Sequence, residues 1–185
     1  MMNILNKPYT NPQYAEFAHL ANQDGKRIEI TEMAAYMLAE NEILENNEIV
    51  DISNTKEYKD QKIVKAKDQK WQEIKNIRDA KEREPFFYLE KYFDFDNLAS
   101  ERLNWAISAA RSALEIGEEF SVEWTCADNT TILLNAAQIL NIPFAVAQRT
   151  VAVHSKARQY RQQIEEATTT KKVEKIVWED EVDAN

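Results

Sequence analysis

Apolar residues at helical spacing mark the stretch around Trp71, where residues 71–79 read WQEIKNIRD. Lysine, glutamate, glutamine and aspartate occupy most of the other positions, so the stretch predicts an amphipathic helix with a tryptophan anchor. The apolar stripe consists of Ile63, Ala66, Trp71, Ile74 and Ile77. We predict a helix over about 55–83 that Pro85 ends, with Ser53 and Asn54 as candidate caps.

The first half of this helix, residues 55–70, is so polar that little of it can be buried. We therefore interpret 55–70 as a connecting arm and place the main domain at 71–178.

The first 54 residues predict a small α/β unit. Asn11 and Pro12 resemble an N-cap and an N1 proline that open a helix ending at Gly25. Residues 26–31 alternate like a strand, and 48–52 is a second plausible strand. Residues 31–44 predict a second helix, with continuation of the strand over 30–33 as the alternative.

Beyond Pro85 the pattern predicts two hairpins and two main helices. The aromatic run 86–95, centred on Glu90 and Lys91, predicts a hairpin with one face covering the Trp71 helix. Asp96 and Asn97 precede a helix that Gly117 ends. Residues 120–134 predict a second hairpin with its turn at 127–129.

Asn135 is a candidate cap for a short helix that Pro143 breaks or restarts. A long helix then runs to about Ala167, with a 4-3 spaced seam along one side. The seam consists of Val146, Thr150, Val153, Ala157, Tyr160, Ile164 and Ala167. A short helix over 169–178 and a mobile acidic tail over 179–185 complete the chain.

Composition agrees with a mainly helical α+β fold, in which long helices pack with two short β-hairpins beside the N-terminal α/β unit. The 185 residues, 44% of them hydrophobic, suffice for one ordinary domain and a small appendage. Only two glycines argue against a glycine-rich phosphate loop. No apolar run reaches the length of a membrane span or a signal peptide, so we expect a cytoplasmic protein without membrane contact.

The net charge of −9 is unevenly distributed. Residues 1–55 carry 3 basic and 9 acidic side chains, whereas 56–84 carry 10 and 7. This alternation favours complementarity within the fold and solvation over a nucleic-acid interface, so we expect no nucleic-acid partner.

No combination of residues predicts a reaction centre, and we expect neither an enzyme nor a cofactor. Cys126 and His154 are the only nucleophile and base that can be paired, and their spacing matches no catalytic signature. Asp94, Asp96, Asp128 and Asn129 offer oxygen ligands, but caps and turns explain most of them without a metal. We therefore predict no metal site.

Structural ion pairs are a better role than catalysis for Arg78, Asp79 and Arg102. If the Trp71 helix packs beside the Leu103 helix, Arg78 with Asp96, or Arg102 with Asp79, can pair at the edge of the aromatic hairpin.

The combined pattern resembles an uncharacterised domain family of tailed bacteriophages and prophages, whose genes commonly lie in or beside the tail-fibre region. The resemblance covers about residues 62–178. The diagnostic residues of its first part are Trp71, Ile74, Lys75, Arg78, Asp79, Phe93, Asp94, Asp96, Ser100 and Arg102. Those of its second part are Trp124, Asp128, Asn129, residues 136–140, His154, Ala157, Ile164 and Ala167.

The resemblance implies a non-enzymatic protein associated with the phage tail fibre, either an assembly accessory or a minor tail component. Its partner would be a phage tail or tail-fibre protein, met in the host cytoplasm during assembly or in the virion tail. Homo-oligomerisation through the seam at Val146 to Ala167 is an open alternative. A second hypothesis is an acidic phage-encoded inhibitor of a host nucleic-acid-binding or defence protein.

Overall fold

The computed structural model describes residues 3–180, and the chain divides into two compact units after Lys65. Just over half of the described residues are helical and the strands form short antiparallel pairs, which confirms the predicted mainly helical α+β class. The elements are β1 (Ile4–Asn6), α1 (Asn11–Gln23), β2 (Arg27–Ile30), β3 (Ala34–Leu38), β4 (Glu42–Glu45), β5 (Glu48–Asp51), α2 (Lys56–Lys81), β6 (Phe86–Tyr88), β7 (Lys91–Phe93), α3 (Asn97–Ile116), β8 (Ser121–Thr125), β9 (Thr131–Asn135), α4 (Ala136–Glu166) and α5 (Thr170–Glu174).

The first unit is organised around strand β3, which lies between β1 and β2 in an antiparallel sheet. All five residues of β3 are buried. Because successive strand residues point to opposite faces, the strand contributes to two small cores. One core joins Ala35 and Met37 to Phe17 and Ala21 of α1. The other contains Ala34, Tyr36 and Leu38, packed against Leu44 and Ile49 of the β4–β5 hairpin.

The helix predicted over 31–44 is therefore wrong, because this stretch forms β3 and β4. A strand buried on both faces is apolar at every position and lacks the alternation that distinguishes a strand from a helix. The strand β1 was not predicted. Two caps lie one residue from their predicted places: Thr10 caps α1, and the Thr55 hydroxyl accepts a hydrogen bond from the Tyr58 N–H at 3.3 Å at the start of α2.

The largest core of the second unit surrounds the hairpin β6–β7. Phe86 and Phe93 lie directly opposite each other in the strand register, and their rings stack with centroids 5.4 Å apart. Both side chains are fully buried against α3, the hairpin β8–β9 and the first turns of α4. The turn of β6–β7 is formed by Leu89 and Glu90, which have positive φ angles, rather than by the predicted Glu90 and Lys91.

A separate core joins α2 to α4. Ile74 is fully buried with Ala157, Tyr160 and Ile164, and Trp71 packs against this group. The prediction that the aromatic hairpin covers the Trp71 helix is thus wrong, because the buried face of the hairpin packs on α3, α4 and β9 instead.

Helix α4 is continuous from Ala136 to Glu166, so Pro143 neither breaks nor restarts it. Asn135 caps it as predicted, within a capping box that includes Gln138. Burial on both sides of the proline holds the helix together, since Ile139 and Ile142 belong to the hairpin core and Ala157 to the α2–α4 core. At Ala157, Tyr160 and Ile164 the predicted seam packs within the chain.

The residues after α5 extend along α4. The rings of Trp178 and Tyr160 lie 5.3 Å apart, and the Glu179 N–H donates to the Tyr160 hydroxyl at 2.9 Å. Asp180 pairs with Lys81 at 2.8 Å. The predicted helix over 169–178 is shorter than expected, and most of the predicted tail, residues 181–185, lies outside the described residues. Among the described helices, none combines the length and apolar character needed to cross a bilayer.

Replacing Pro143 by Ala tests how α4 accommodates the proline. Pro143 is exposed, and its ring removes the bond that a residue here would donate to the Ile139 carbonyl. We expect Pro143→Ala to stabilise the protein by about 1–3 kcal/mol, measured by chemical unfolding. The control is Asn141→Ala, at an exposed position of the same helix. A lowered stability in Pro143→Ala would mean that the packing of α4 requires a local bend.

Candidate functional site

Three of the diagnostic residues line one surface groove of about 270 Å³, which is the candidate functional site. Asp94 follows β7, Arg102 lies in the second turn of α3, and Trp124 belongs to β8. The remaining lining residues are Ala99, Val122, Glu123 and Thr125. We call this surface the β8 groove.

One wall of the β8 groove is the start of α3, which its cap holds in place. The Asp96 carboxylate accepts a hydrogen bond from the Ala99 N–H at 2.7 Å, and the Ser100 hydroxyl donates to the Asp96 carbonyl at 2.8 Å. Ala99 and Arg102 are three residues apart and so share one helix face. Phe93 anchors the chain just before Asp94, because its side chain is fully buried.

The other wall is the outer edge of β8, whose only strand partner within residues 3–180 is β9. The Cys126 N–H donates to the Thr130 carbonyl at 2.8 Å, and the Ala136 N–H to the Phe120 carbonyl at 3.0 Å. Along an antiparallel strand pair, directly opposite residues alternate between pairs that exchange backbone hydrogen bonds and pairs that do not. These two bonds show that the even-numbered residues of β8 are the ones that bond to β9. Val122 and Trp124 therefore bond to β9, whereas the peptide groups of Ser121, Glu123 and Thr125 point away from it.

One end of this edge is closed by the first hairpin. The Ala127 N–H donates to the Tyr92 carbonyl at 2.8 Å. Beside it, Lys91 contacts the Asp128 carboxylate at 3.2 Å and the Thr130 hydroxyl at 3.0 Å. The open part of the edge is thus limited to the five residues of β8.

Asp128 and Asn129 form the turn between β8 and β9. Asn129 has a φ of 61°, and Asp128 accepts hydrogen bonds from the Thr130 N–H at 2.9 Å and from its hydroxyl at 2.6 Å. These bonds and Lys91 lower the pKa of Asp128 from its ordinary 3.8 to about 2. Within residues 3–180, no group of three or more histidine, cysteine or acidic side chains is placed to hold a metal ion.

The other diagnostic residues do not join the groove. Trp71 and Ile74 belong to the α2–α4 core. Arg78 pairs with its neighbour Asp79 at 2.6 Å, so the expected pairs of Arg78 with Asp96 and of Arg102 with Asp79 are wrong.

Cys126 and His154 lie in different surroundings. Cys126 is buried in the hairpin core, and burial raises the pKa of its thiol. The His154 Nε2 lies 2.7 Å from a Glu82 carboxylate oxygen. Each side chain thus has a structural role where it stands, the cysteine as a small apolar core residue and the histidine as a contact between α4 and the residues after α2.

Arg149 is an important residue that the sequence pattern did not reveal. Its guanidinium donates to the carbonyls of Glu82 and Glu84, just beyond the end of α2. It also lies over the Phe95 ring, 4.7 Å from the centroid. The signal was indirect: the backbone carbonyls between the end of α2 and Pro85 need donors, and only the fold shows which arginine supplies them.

Arg149 should contribute strongly to stability, since it joins α4, the end of α2 and the aromatic hairpin. We expect Arg149→Lys to lower the free energy of unfolding, measured in urea, by about 1.5–3 kcal/mol. A single ammonium group cannot reproduce the planar set of N–H donors of the guanidinium. The control is Arg158→Ala, an exposed arginine of the same helix that contacts Ser155. Equal free energies of unfolding for Arg149→Lys and wild type would show that the guanidinium of Arg149 does not contribute to stability.

The lowered pKa of Asp128 predicts a pH-dependent contribution of the turn. A carboxyl group whose pKa is lowered in the folded state stabilises the fold at pH values above its unfolded-state pKa. This contribution is lost as the pH falls through about 3.8 towards about 2. Asp128→Asn should therefore be less stable than wild type at pH 5, and the gap should narrow at lower pH. Urea unfolding across that range measures it, and a gap that does not change with pH would contradict the assignment.

Comparison with known families gives one match, over residues 65–178, to a family described as Domain of unknown function (DUF4376). No curated protein and no solved structure matches the chain. The match covers more than half of the 185 residues and includes the β8 groove and both cores of the second unit. The chain therefore belongs to the DUF4376 family.

Proposed function

We propose that this protein is a non-enzymatic bacteriophage tail-fibre-associated protein, an assembly accessory or a minor tail component that binds a tail or tail-fibre protein. It would meet this partner in the host cytoplasm during assembly, and as a component it would remain in the virion tail. The phage context rests on the sequence resemblance over 62–178, which spans nearly the same residues as the family match.

The observation that favours a binding function is the position of the diagnostic residues in the β8 groove. Asp94 and Arg102 are exposed charged side chains, and Trp124 is partly buried between them and the core. A groove that combines an aromatic residue, an arginine and unpaired peptide groups has the chemistry of a protein-binding site.

Exposed apolar side chains on α3 extend this surface. Trp105 is 66% exposed and Leu98 is 52% exposed. The two residues are seven positions apart, so they lie on one side of the helix, with Arg102 between them and the groove. Large apolar side chains clustered on a surface are typical of contacts with another protein.

The binding function is tested by affinity purification of the tagged full-length chain from phage-producing cells. We expect a tail or tail-fibre protein to be retained, and the double variant Arg102→Ala/Trp105→Ala to retain at least about tenfold less, as for loss of two anchor residues. Arg111→Ala is the matched control, because Arg111 is exposed on a different side of α3. Retention of host nucleic-acid-binding proteins without any tail protein would contradict the proposal and favour the acidic inhibitor.

Quantitative mass spectrometry of purified particles separates the two forms of the proposal. Abundant protein in mature virions supports a tail component and contradicts a transient accessory. Absence from virions, together with retention of a tail protein during assembly, supports a transient accessory and contradicts a tail component.

A further inference from the structure

We propose that the β8 groove binds an extended segment of the partner protein as a third strand added to the edge of β8, with a basic residue of the segment opposite Glu123. This inference rests on the proposed function and specifies the chemistry of its partner.

The outer edge of β8 has unpaired hydrogen-bonding groups. Within residues 3–180, no hydrogen bond is made to the peptide N–H or carbonyl of Ser121, Glu123 or Thr125. These groups recur at every second residue, which is the spacing that another strand supplies. Addition of an extended chain to such an edge is a common form of peptide recognition.

The shape of the site favours a single short segment. The edge is closed beyond Thr125 by the bond between Ala127 and Tyr92, and the start of α3 forms the facing wall. Five strand residues span about 17 Å at 3.4 Å per residue, so the groove suits a short segment rather than a whole sheet.

The charge of Glu123 disfavours a second copy of the chain as the occupant in the register of full overlap. Antiparallel pairing of two β8 edges about a twofold axis, in the register that matches their full lengths, places Glu123 opposite Glu123 of the other copy. Like charges directly opposite each other destabilise a strand pair. A basic residue at that place is attracted instead. Within residues 3–180 Glu123 makes no ion pair and accepts only a hydrogen bond from the Thr131 hydroxyl at 3.1 Å. The carboxylates of Glu123 and Asp94 also outnumber the single cation of the groove, Arg102.

The register of β8 also defines the neighbours of that basic residue. Glu123 lies on the outer face of the hairpin, whereas Val122 and Trp124 face the core. Residues of the segment on either side of the basic one would therefore lie beside Val122, Trp124 and Ala99, where apolar side chains fit. The preferred segment is an apolar–basic–apolar strand.

The test uses the acetylated and amidated peptide Thr-Val-Lys-Val-Thr with the ¹⁵N-labelled full-length chain. We expect saturable NMR shifts of the Ser121, Glu123 and Thr125 amides with a Kd on the order of 1 mM. The same peptide with Glu in place of Lys should bind roughly two- to tenfold more weakly, the range for reversing an exposed charge pair. Absence of shifts at these amides would overturn the proposal.

Glu123→Lys should reverse this preference, so that the Glu peptide binds better than the Lys peptide. Glu115→Lys changes charge equally at an exposed position of α3 and should leave the preference as in wild type. Retention of the wild-type preference by Glu123→Lys would overturn the pairing with Glu123. Both substituted side chains are exposed, so we expect both variants to fold. The amide spectrum of each variant shows whether it is folded.

Backbone pairing is tested on the peptide, which leaves the protein unchanged. In an antiparallel addition the Lys residue of the peptide exchanges both hydrogen bonds with Glu123, so N-methylation of its amide should weaken binding at least about tenfold. N-methylation of the following Val places the methyl group on an amide that points away from β8 and should be tolerated. Equal tolerance of both modifications would overturn strand addition.

The two proposals fail differently. If the tagged chain retains a tail protein but the peptide does not bind, the proposed function stands and strand addition is wrong. If the peptide binds as expected but no tail protein is retained, the groove binds strands and the proposed function is wrong.

Discussion

The burial of the Phe86–Phe93 pair is the interaction on which the β8 groove depends. The two rings stack across the β6–β7 hairpin, and both are excluded from solvent against α3, α4 and β9. Full burial of a phenylalanine side chain is worth about 1.5–3 kcal/mol, so the pair is a large part of what holds this hairpin to the core. Phe93 places the chain at Asp94 and the start of α3, while Leu134 of the same core backs the β8–β9 hairpin. Both walls of the groove thus depend on one apolar contact.

Much of the second unit could be predicted from the sequence, because caps, turns and hydrophobic periodicity mark its helices and strands locally. Asp96, Gly117 and Asn135 act as caps where the pattern expects them, and both hairpins form. The errors arise where long-range packing overrides a local signal. Strand β3 loses the alternation of a strand because it is buried on both faces. Pro143 fails to interrupt α4 because buried residues on both sides keep the helix in place.

The candidate site was only partly predictable, for a similar reason. Arg102, Trp124 and Asp94 stand out in the sequence, yet their meeting in one groove requires the packing of α3 beside β8. The importance of Glu123 depends on the register of β8 with β9, which decides whether its peptide group points towards the partner strand or away from it. Arg149 could not be assigned because its acceptors are backbone carbonyls more than sixty residues earlier.

An open strand edge is a hazard that proteins usually limit, because unpaired peptide groups invite aggregation. Here the hazard is limited in three ways. The edge is short, the facing wall of α3 blocks the approach of a whole sheet, and Glu123 repels a second copy in the register of full overlap. None of these features hinders a single extended segment with a basic residue at its centre. The same charge that disfavours self-association therefore selects the partner, so protection of the edge and recognition through it have one physical origin.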